Sequence, residues 1–215
     1  MTSDVNNSMD FFNTSFAVFG APGRYLQGRG VARLAGPCAG TLGGHAVLVC
    51  DDIVAALVEP VIAESCREAD VQLQRVEFSG EINAQTGPML SRRLQFPHGR
   101  PTVIAAGGGR SIDAGKALRE ELGGGLITLP TVASNDSPTS KNYVLYDSQH
   151  RLAEVRHMPR NADFVLVDTE LLARAPRSFF LAGLGDAIAK NSRPTGALPP
   201  AARRCSVPAP PGPQM

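Results

Sequence analysis

The sequence lacks the features that mark several common classes of protein. Its 215 residues carry a net charge of only +1, whereas a protein that binds nucleic acid or a membrane surface usually presents a strongly basic face. No apolar run approaches the roughly 20 residues needed to span a bilayer. Residues 1–15 contain neither the cationic start nor the apolar core of a secretory signal, and we expect them to form a disordered leader. These absences favour a cytoplasmic protein that binds neither nucleic acid nor a membrane.

Motifs for a zinc site, a disulfide framework or a nucleophilic triad are also missing. The four cysteines show no C-x-x-C spacing, and the four histidines include no pair separated by four residues. There is no nucleophile elbow and no P-loop. Cys50 follows an apolar run, and we expect it to be a core residue and not a nucleophile. The residues alone therefore predict no metal site, and they favour a reducing compartment.

Composition changes abruptly near Lys190. Residues 191–215 hold 7 of the 17 prolines and three arginines but none of the 20 acidic residues. Proline fits neither a helix interior nor a sheet ladder, and this segment has no periodic apolar pattern. We expect a disordered, proline-rich tail, for which the alternative is a ligand of a proline-recognition domain.

Short apolar runs alternate with helical spacing along the rest of the chain, which is typical of βαβ units and a mostly parallel sheet. We expect helices on both faces of that sheet and an added β-hairpin. Ser178 is expected to cap the helix that contains Asp186, and Gly87-Pro88 is expected to interrupt any helix over 81–97. The predicted strands are 45–50, 71–78, 102–106, 125–129 and 162–167, with hairpin strands 143–146 and 152–155 and helices 53–69 and 111–122.

Ligands of an open parallel sheet bind beyond the carboxyl ends of the strands, and that rule selects Asp51, Gly107–Gly109 and the loop 129–140. Glycines between a strand and a helix let the backbone approach an anion, so we predict a pyrophosphate site at Gly107–Gly109, for which the alternative is an ordinary tight strand-to-helix turn. Asp51 fits two roles equally well, as an acceptor for ribose hydroxyls or as the cap of the next helix. Asp136 and Asp186, taken alone, fit turn or surface positions better than ligand positions.

Taken in order, these segments resemble the glycerol dehydrogenase branch of the metal-dependent, iron-containing alcohol dehydrogenases. The resemblance covers residues 16–190. One motif would be weak evidence, but six in the family's order and spacing are strong. They are Pro22–Gly28, Phe78–Glu81, GGGRSIDAGKA (107–117), LPTVASNDSPTS (129–140), ADFVLVDTELLARAP (162–176) and AGLGDAIAK (182–190).

The resemblance implies a Rossmann-like NAD-binding α/β domain over residues 16–176. Residues 177–190 would be the first helix of an all-helical metal-binding domain. It also implies that Asp51 binds the adenosine ribose of NAD, that Asp136 contacts a polyol such as glycerol, and that Asp186 is a ligand of a catalytic zinc or iron. The remaining implied cofactor contacts run from the pyrophosphate to the nicotinamide: Gly108, Gly109, Arg110, Ser111, Asp113, Thr131, Ser134, Ser140, Asn142 and Tyr146.

The reaction implied by the resemblance is hydride transfer from a secondary alcohol carbon to NAD⁺, with the metal lowering the pKa of the bound hydroxyl. Glycerol would give dihydroxyacetone. The family is homo-oligomeric and continues past the Asp186 helix into a domain that supplies two histidine ligands, whereas all four histidines here precede Asp186. We therefore expect activity to be impaired or absent in this chain. The alternatives are a non-catalytic NAD-binding fragment and a sibling dehydrogenase for another polyol or a 2-hydroxy acid.

Overall fold

A computed structural model describes residues 20–95 and 100–191 of the chain. The expected leader (1–15) and the tail from residue 192 onward lie outside the described residues. The elements, in chain order, are β1 (Arg24–Gly28), a 3-10 helix (Val31–Leu34), α1 (Ala35–Gly40), β2 (His45–Cys50), α2 (Asp52–Glu68), β3 (Gln72–Glu77), α3 (Thr86–Ser91), β4 (Thr102–Gly107), α4 (Gly109–Leu122), β5 (Leu126–Pro130), β6 (Asn142–Tyr146), β7 (Leu152–His157), β8 (Phe164–Asp168), α5 (Thr169–Arg174) and α6 (Arg177–Asn191).

Six strands form one sheet in the order β1-β8-β5-β4-β2-β3, and all five pairings in it are parallel. Strands β6 and β7 form a separate antiparallel hairpin. Among the residues described, no helix has the length and apolar content that crossing a membrane requires. The predicted α/β fold, the hairpin and each predicted strand are confirmed to within a few residues at their ends.

The two faces of the sheet bury different side chains of the same strands, because successive residues of a strand point to opposite sides. On β2, Leu48 and Cys50 pack in a core that includes side chains of α1 and α2. Val47 and Val49 pack in a second core with side chains of α3 and α4. Strands covered on both faces are apolar throughout, which explains the unbroken run at 45–50. The expected helices on both faces are confirmed.

Helix α3 corrects the expectation that Gly87-Pro88 interrupts any helix in this region. Gln85 is its N-cap, so Pro88 is the third helical residue. The first amide groups of a helix have no partner within the helix, and proline there removes no hydrogen bond. Gly87 has a packing role, because a Cβ atom at this position would lie 2.7 Å from the carbonyl oxygen of Ala117 on α4.

Several other elements differ from the sequence-based expectation, and the 3-10 helix and α5 are among those that were not predicted. Strand β1 was not predicted; among the described strands it pairs with β8 alone, and its side chains are largely exposed. Helix α1 was also not predicted, and it has only six residues. Helix α6 begins at Arg177, so Ser178 lies inside its first turn and is not its N-cap.

Helix α4 approaches the sheet at a distance that only glycine allows. A Cβ atom built at Gly115 would lie 2.3 Å from Cβ of Ala105 on β4. The side chains of Ile112 and Leu118 are buried around this contact. The close approach fixes where the amino end of α4 lies relative to the carboxyl end of β4.

Candidate functional site

Three segments meet at the carboxyl edge of the sheet because β2, β4 and β5 are neighbours in it. Asp51 follows β2, Gly107–Gly109 joins β4 to α4, and the loop after β5 begins at Thr131. The amide of Thr131 donates a hydrogen bond of 3.1 Å to the carbonyl oxygen of Gly107. The structure therefore brings together the three places that the sequence selected.

The glycine turn at the start of α4 is tightly enclosed. Gly107 has φ +134°, a conformation that side-chain-bearing residues rarely adopt. A Cβ atom at Gly108 would lie 3.3 Å from Val132, and one at Gly109 would lie 2.5 Å from Nδ2 of Asn135. Gly108 is the N-cap of α4 and supplies no side-chain acceptor to the amides of the first turn. These amides and the helix dipole favour an anion.

Asp51 caps helix α2. Its Oδ1 accepts a hydrogen bond of 2.8 Å from the amide of Val54, and this is the simpler of the two roles that the sequence left open. Val54 in turn lies 3.6 Å from the Cβ position of Gly107, so the cap and the glycine turn are adjacent. Cys50 is fully buried, and burial raises the pKa of its thiol to about 11, as expected of a core residue.

A buried lysine that the sequence analysis did not single out connects α4 to the polar loop. Lys116 is 0% exposed, and its Nζ lies 3.1 Å from Oδ1 of Asp113. The ammonium also donates to Oγ of Ser137 at 3.1 Å, to Oγ of Ser140 at 3.4 Å and to the carbonyl oxygen of Asn142 at 2.5 Å. Burial lowers the pKa of Lys116 below its ordinary value, although Asp113 opposes that shift.

The carboxylate of Asp113 is also fully engaged. Its Oδ1 accepts a hydrogen bond from the Ser137 hydroxyl in addition to that from Lys116. Its Oδ2 accepts one of 3.2 Å from the amide of Val144 on β6. The Asp113 carboxylate and the Ser140 hydroxyl already make contacts that hold the loop and the hairpin to α4. Their predicted contacts with the cofactor stay predictions.

Asp136 and Asp186 come together although they lie far apart in the chain. Nζ of Lys190 lies 2.7 Å from Oδ1 of Asp136 and 2.7 Å from Oδ2 of Asp186. Burial opposes the charged form of Lys190, but the two carboxylates prevail and raise its pKa above the ordinary value. Helix α6 packs tightly on the loop here, since a Cβ atom at Gly183 would lie 2.0 Å from the carbonyl oxygen of Ala133.

The described residues do not fit a catalytic metal ion. Over residues 20–95 and 100–191, no three His, Cys, Asp or Glu side chains lie close enough together to hold one, whereas catalytic zinc sites use three protein ligands. The two carboxylates that do meet, Asp136 and Asp186, share the ammonium of Lys190. The role of Asp186 as a metal ligand therefore stays a prediction.

The hairpin residues lie beside a different recess. Tyr146 borders a shallow cavity of about 350 Å³ that is lined by residues 83–85, 145–148 and 153–154, and the glycine turn is not among these lining residues. The amide of Tyr146 donates 2.7 Å to the carbonyl oxygen of Ile82. The exposed Asn142 side chain contacts Nδ1 of His157 at 2.6 Å. The structure thus places Tyr146 at a recess that the glycine turn does not line, and the contact of Tyr146 with the cofactor stays a prediction.

The other predicted cofactor residues surround the glycine turn. Arg110 is exposed and forms an ion pair of 3.1 Å with Glu81, which lies in the segment between β3 and α3. Ser111 and Thr131 are buried, and Ser134 is partly exposed. Sequence reasoning missed Lys116, Ser137 and Lys190. Lys116 was open to detection, because a lysine three residues after Asp113 on one helix can pair with it.

Comparison with known proteins gives a consistent picture. The sequence profile of a family described as "Iron-containing alcohol dehydrogenase" matches residues 22–169. A glycolaldehyde reductase from Halobacterium salinarum is 38% identical over 173 residues, which are 80% of this chain and 47% of that protein. A glycerol dehydrogenase from Thermotoga maritima is 34% identical over 170 residues, which are 78% of this chain and 45% of that protein.

Solved structures agree with these relatives. The crystal structure of glycerol dehydrogenase from Schizosaccharomyces pombe matches with a TM-score of 0.75 at 25% identity, covering 82% of this chain and 44% of that one. That of a probable glycerol dehydrogenase from Sinorhizobium meliloti matches with a TM-score of 0.71 at 29% identity, covering 80% and 46%. The chain therefore spans about half the length of the relatives it matches.

Proposed function

Because the chain belongs to the iron-containing alcohol dehydrogenase family, we propose that the crevice at the carboxyl edge of its sheet binds NAD. The observation that carries this proposal is the glycine turn, which presents the uncapped amino end of α4 between the cap of α2 and the polar loop. The pyrophosphate binds at Gly108–Ser111, where backbone amides and the helix dipole favour its charge. Asp51 accepts hydrogen bonds from the adenosine ribose with the carboxylate oxygen that does not cap α2.

Residues of the polar loop and the hairpin would hold the nicotinamide half of NAD. Thr131 and Ser134 contact the dinucleotide beyond the pyrophosphate, and Ser140, Asn142 and Tyr146 form the nicotinamide end. The small side chains of this loop let the backbone approach the cofactor and leave space for a substrate. Asp113 contributes to the same crevice, chiefly through the contacts it makes with the loop.

The reaction we propose is oxidoreduction of a small polyol, with glycerol and dihydroxyacetone as the pair. Bound NAD⁺ would supply the acceptor for the hydride of the carbinol carbon, and the hydroxyl proton would be released to solvent. Asp136 accepts hydrogen bonds from the substrate's hydroxyl groups. Relatives named glycerol dehydrogenase and glycolaldehyde reductase support a small hydroxylated substrate.

A second candidate is NAD binding without turnover by this chain. Lys190 favours it, because its ammonium already holds the carboxylates proposed for substrate and metal, Asp136 and Asp186. The described residues also supply no three-ligand metal set. On this reading the crevice retains its affinity for the dinucleotide, while glycerol is not oxidised.

Titration of the chain with NADH, followed by the cofactor's fluorescence, tests the binding proposal. We expect saturable binding and a loss of about 10-fold in affinity in Gly108→Ala, whose methyl group would lie 3.3 Å from Val132 and would shift the polar loop relative to the glycine turn that receives the pyrophosphate. Gly44→Ala is the matched control, since a Cβ atom at Gly44 meets nothing within 4 Å. A folded chain with no NADH binding would refute the proposal.

A turnover assay then separates the two candidates. The chain is mixed with NAD⁺, glycerol and added zinc or ferrous iron, and NADH formation is followed by its absorbance. Glycerol-dependent NADH formation that is lost in Asp136→Asn supports the oxidoreductase. Binding of NADH without any turnover supports the second candidate. Glycolaldehyde and a 2-hydroxy acid in the same assay test the sibling dehydrogenases.

A further inference from the structure

We propose that Lys116 is a positioning residue: with Asp113 it forms a buried ion pair that holds the polar loop and the first residues of β6 in the shape that the nicotinamide half of NAD requires. This inference rests on the proposed NAD binding and extends it. It assigns Lys116 no contact with the cofactor.

The geometry of the pair supports a positioning role. Lys116 and Asp113 belong to the same helix and lie 3.1 Å apart, so the helix itself sets their relative position. All the remaining acceptors of the lysine belong to the segment that follows β5: Ser137, Ser140 and the carbonyl oxygen of Asn142. A single ammonium thus connects helix α4 to the loop at Ser137 and to the first residue of β6, Asn142.

The aspartate completes the connection. Its two oxygens receive hydrogen bonds from Ser137 in the loop and from the amide of Val144 in β6. A loop made of short polar side chains has little apolar surface with which to fix its own conformation. The buried pair supplies that fixation, because a buried ammonium and carboxylate need hydrogen-bond partners and the loop provides them.

The pair also faces only one half of the proposed cofactor site. Two of its loop partners, Ser140 and Asn142, lie at the proposed nicotinamide end, whereas the adenosine end is formed by Asp51 and the pyrophosphate end by the glycine turn. Loss of the loop's conformation should therefore weaken binding of the whole dinucleotide but not of ADP. A variant that is merely less stable would instead lose affinity for NADH and for ADP to a similar extent.

The most direct test is Ser137→Ala, which leaves both buried charges paired and removes one hydroxyl that contacts both of them. We expect the dissociation constant for NADH to rise at least 10-fold and that for ADP to change less than 2-fold. Hydrogen exchange of the amides at 137–144 should accelerate at least 10-fold. The matched control is Thr139→Ala in the same loop, whose exposed hydroxyl contacts only the carbonyl oxygen of Asp136 and whose removal should leave all three quantities unchanged.

Replacement of Lys116 alone would leave a buried carboxylate without its partner and could unfold the chain. The double variant Asp113→Asn with Lys116→Met removes both charges together and is the second test, with the same selective loss of NADH affinity expected. Unchanged exchange at 137–144 in both variants would overturn the positioning role, as would equal losses of NADH and ADP affinity. If the parent chain binds neither ligand, the proposed function fails, and hydrogen exchange alone still decides whether the pair holds the loop.

Discussion

The contact between α4 and β4 leads to a prediction that can be worked out from the structure. In Gly115→Ala, the new methyl carbon would lie 2.3 Å from Cβ of Ala105, more than 1 Å inside the roughly 3.5–4.0 Å separation of carbon atoms in contact. Overpacking of this kind costs about 1–3 kcal/mol. Alanine regains about 0.5–1 kcal/mol over glycine in a helix interior. A contact this short belongs in the upper part of the overpacking range, at about 2–3 kcal/mol, so we expect a net loss of about 1–2 kcal/mol in the free energy of unfolding.

The assay is urea unfolding followed by circular dichroism, with thermal unfolding as a check. For a domain of this size, 1 kcal/mol corresponds to about 2–4 °C in Tm, so Gly115→Ala should lower Tm by about 2–8 °C. Gly40→Ala is the matched control in α1, because a Cβ atom there would lie 3.6 Å from its nearest neighbour, Val71, at ordinary contact distance.

A swap of the two residues isolates the cause. In the double variant Ala105→Gly with Gly115→Ala, the nearest atom to the new methyl carbon becomes Cα of residue 105 at 3.3 Å, and a small shift relieves that contact. The double variant should therefore be more stable than the sum of the single changes predicts, with a coupling of about 1–2 kcal/mol. Additive effects, or a Gly115→Ala chain as stable as the parent, would refute the close packing of α4 on β4.

Other predictions concern single polar groups. Burial opposes ionisation of Asp168, but amides that include those of Ala32 and Gly30 outweigh it and lower the pKa of its carboxyl. The contribution of the Asp168 carboxylate to stability is therefore full above the unfolded pKa of about 3.9 and is lost as pH falls through the lower folded value. Asp168→Asn should therefore reduce the fall in the free energy of unfolding that is measured as the pH is lowered from 6 to 2. Thr102→Val should raise the free energy of unfolding in urea by about 1 kcal/mol, because the buried Thr102 hydroxyl has no partner among the described residues; a destabilised variant would contradict this. Asp51→Ser should keep the cap of α2, and hence Tm, but reduce NADH affinity about 10-fold, and unchanged affinity would leave Asp51 as a cap alone.

The sequence predicted the interior of this fold better than its periphery. The run at 45–50 and the run at 102–106 are buried on both faces, so their apolar character is unbroken and the strands are evident. Strand β1 has one neighbour and largely exposed side chains, and no apolar pattern marks it. Helix α3 forms because Pro88 lies in its first turn, where proline is tolerated. The expectation of a break treated every Gly-Pro pair alike and did not consider that position.

In the candidate site too, some features could be predicted from the sequence and others could not. The sheet-edge rule placed Asp51, the glycine turn and the polar loop together because it depends only on strand order and direction. The pairing of Lys116 with Asp113 and of Lys190 with Asp186 follows from spacing within one helix. Their contacts with the loop depend on where the two helices pack against it, and no local pattern in the sequence records that packing. Lys190 illustrates the difference, since its two carboxylate partners come from the loop after β5 and from its own helix.

Helix α4 connects the separate parts of the proposed site. Its amino end, at Gly108–Ser111, offers the amides for a pyrophosphate; its middle holds the polar loop through Asp113 and Lys116; and Gly115 fixes its depth against β4. These three features lie within about two turns of one rigid element, so a shift of α4 would move the anion site and the loop anchor together. It follows that Gly115→Ala, a change at a residue with no proposed cofactor contact of its own, should weaken the binding of both ADP and NADH, whereas Ser137→Ala should weaken that of NADH alone.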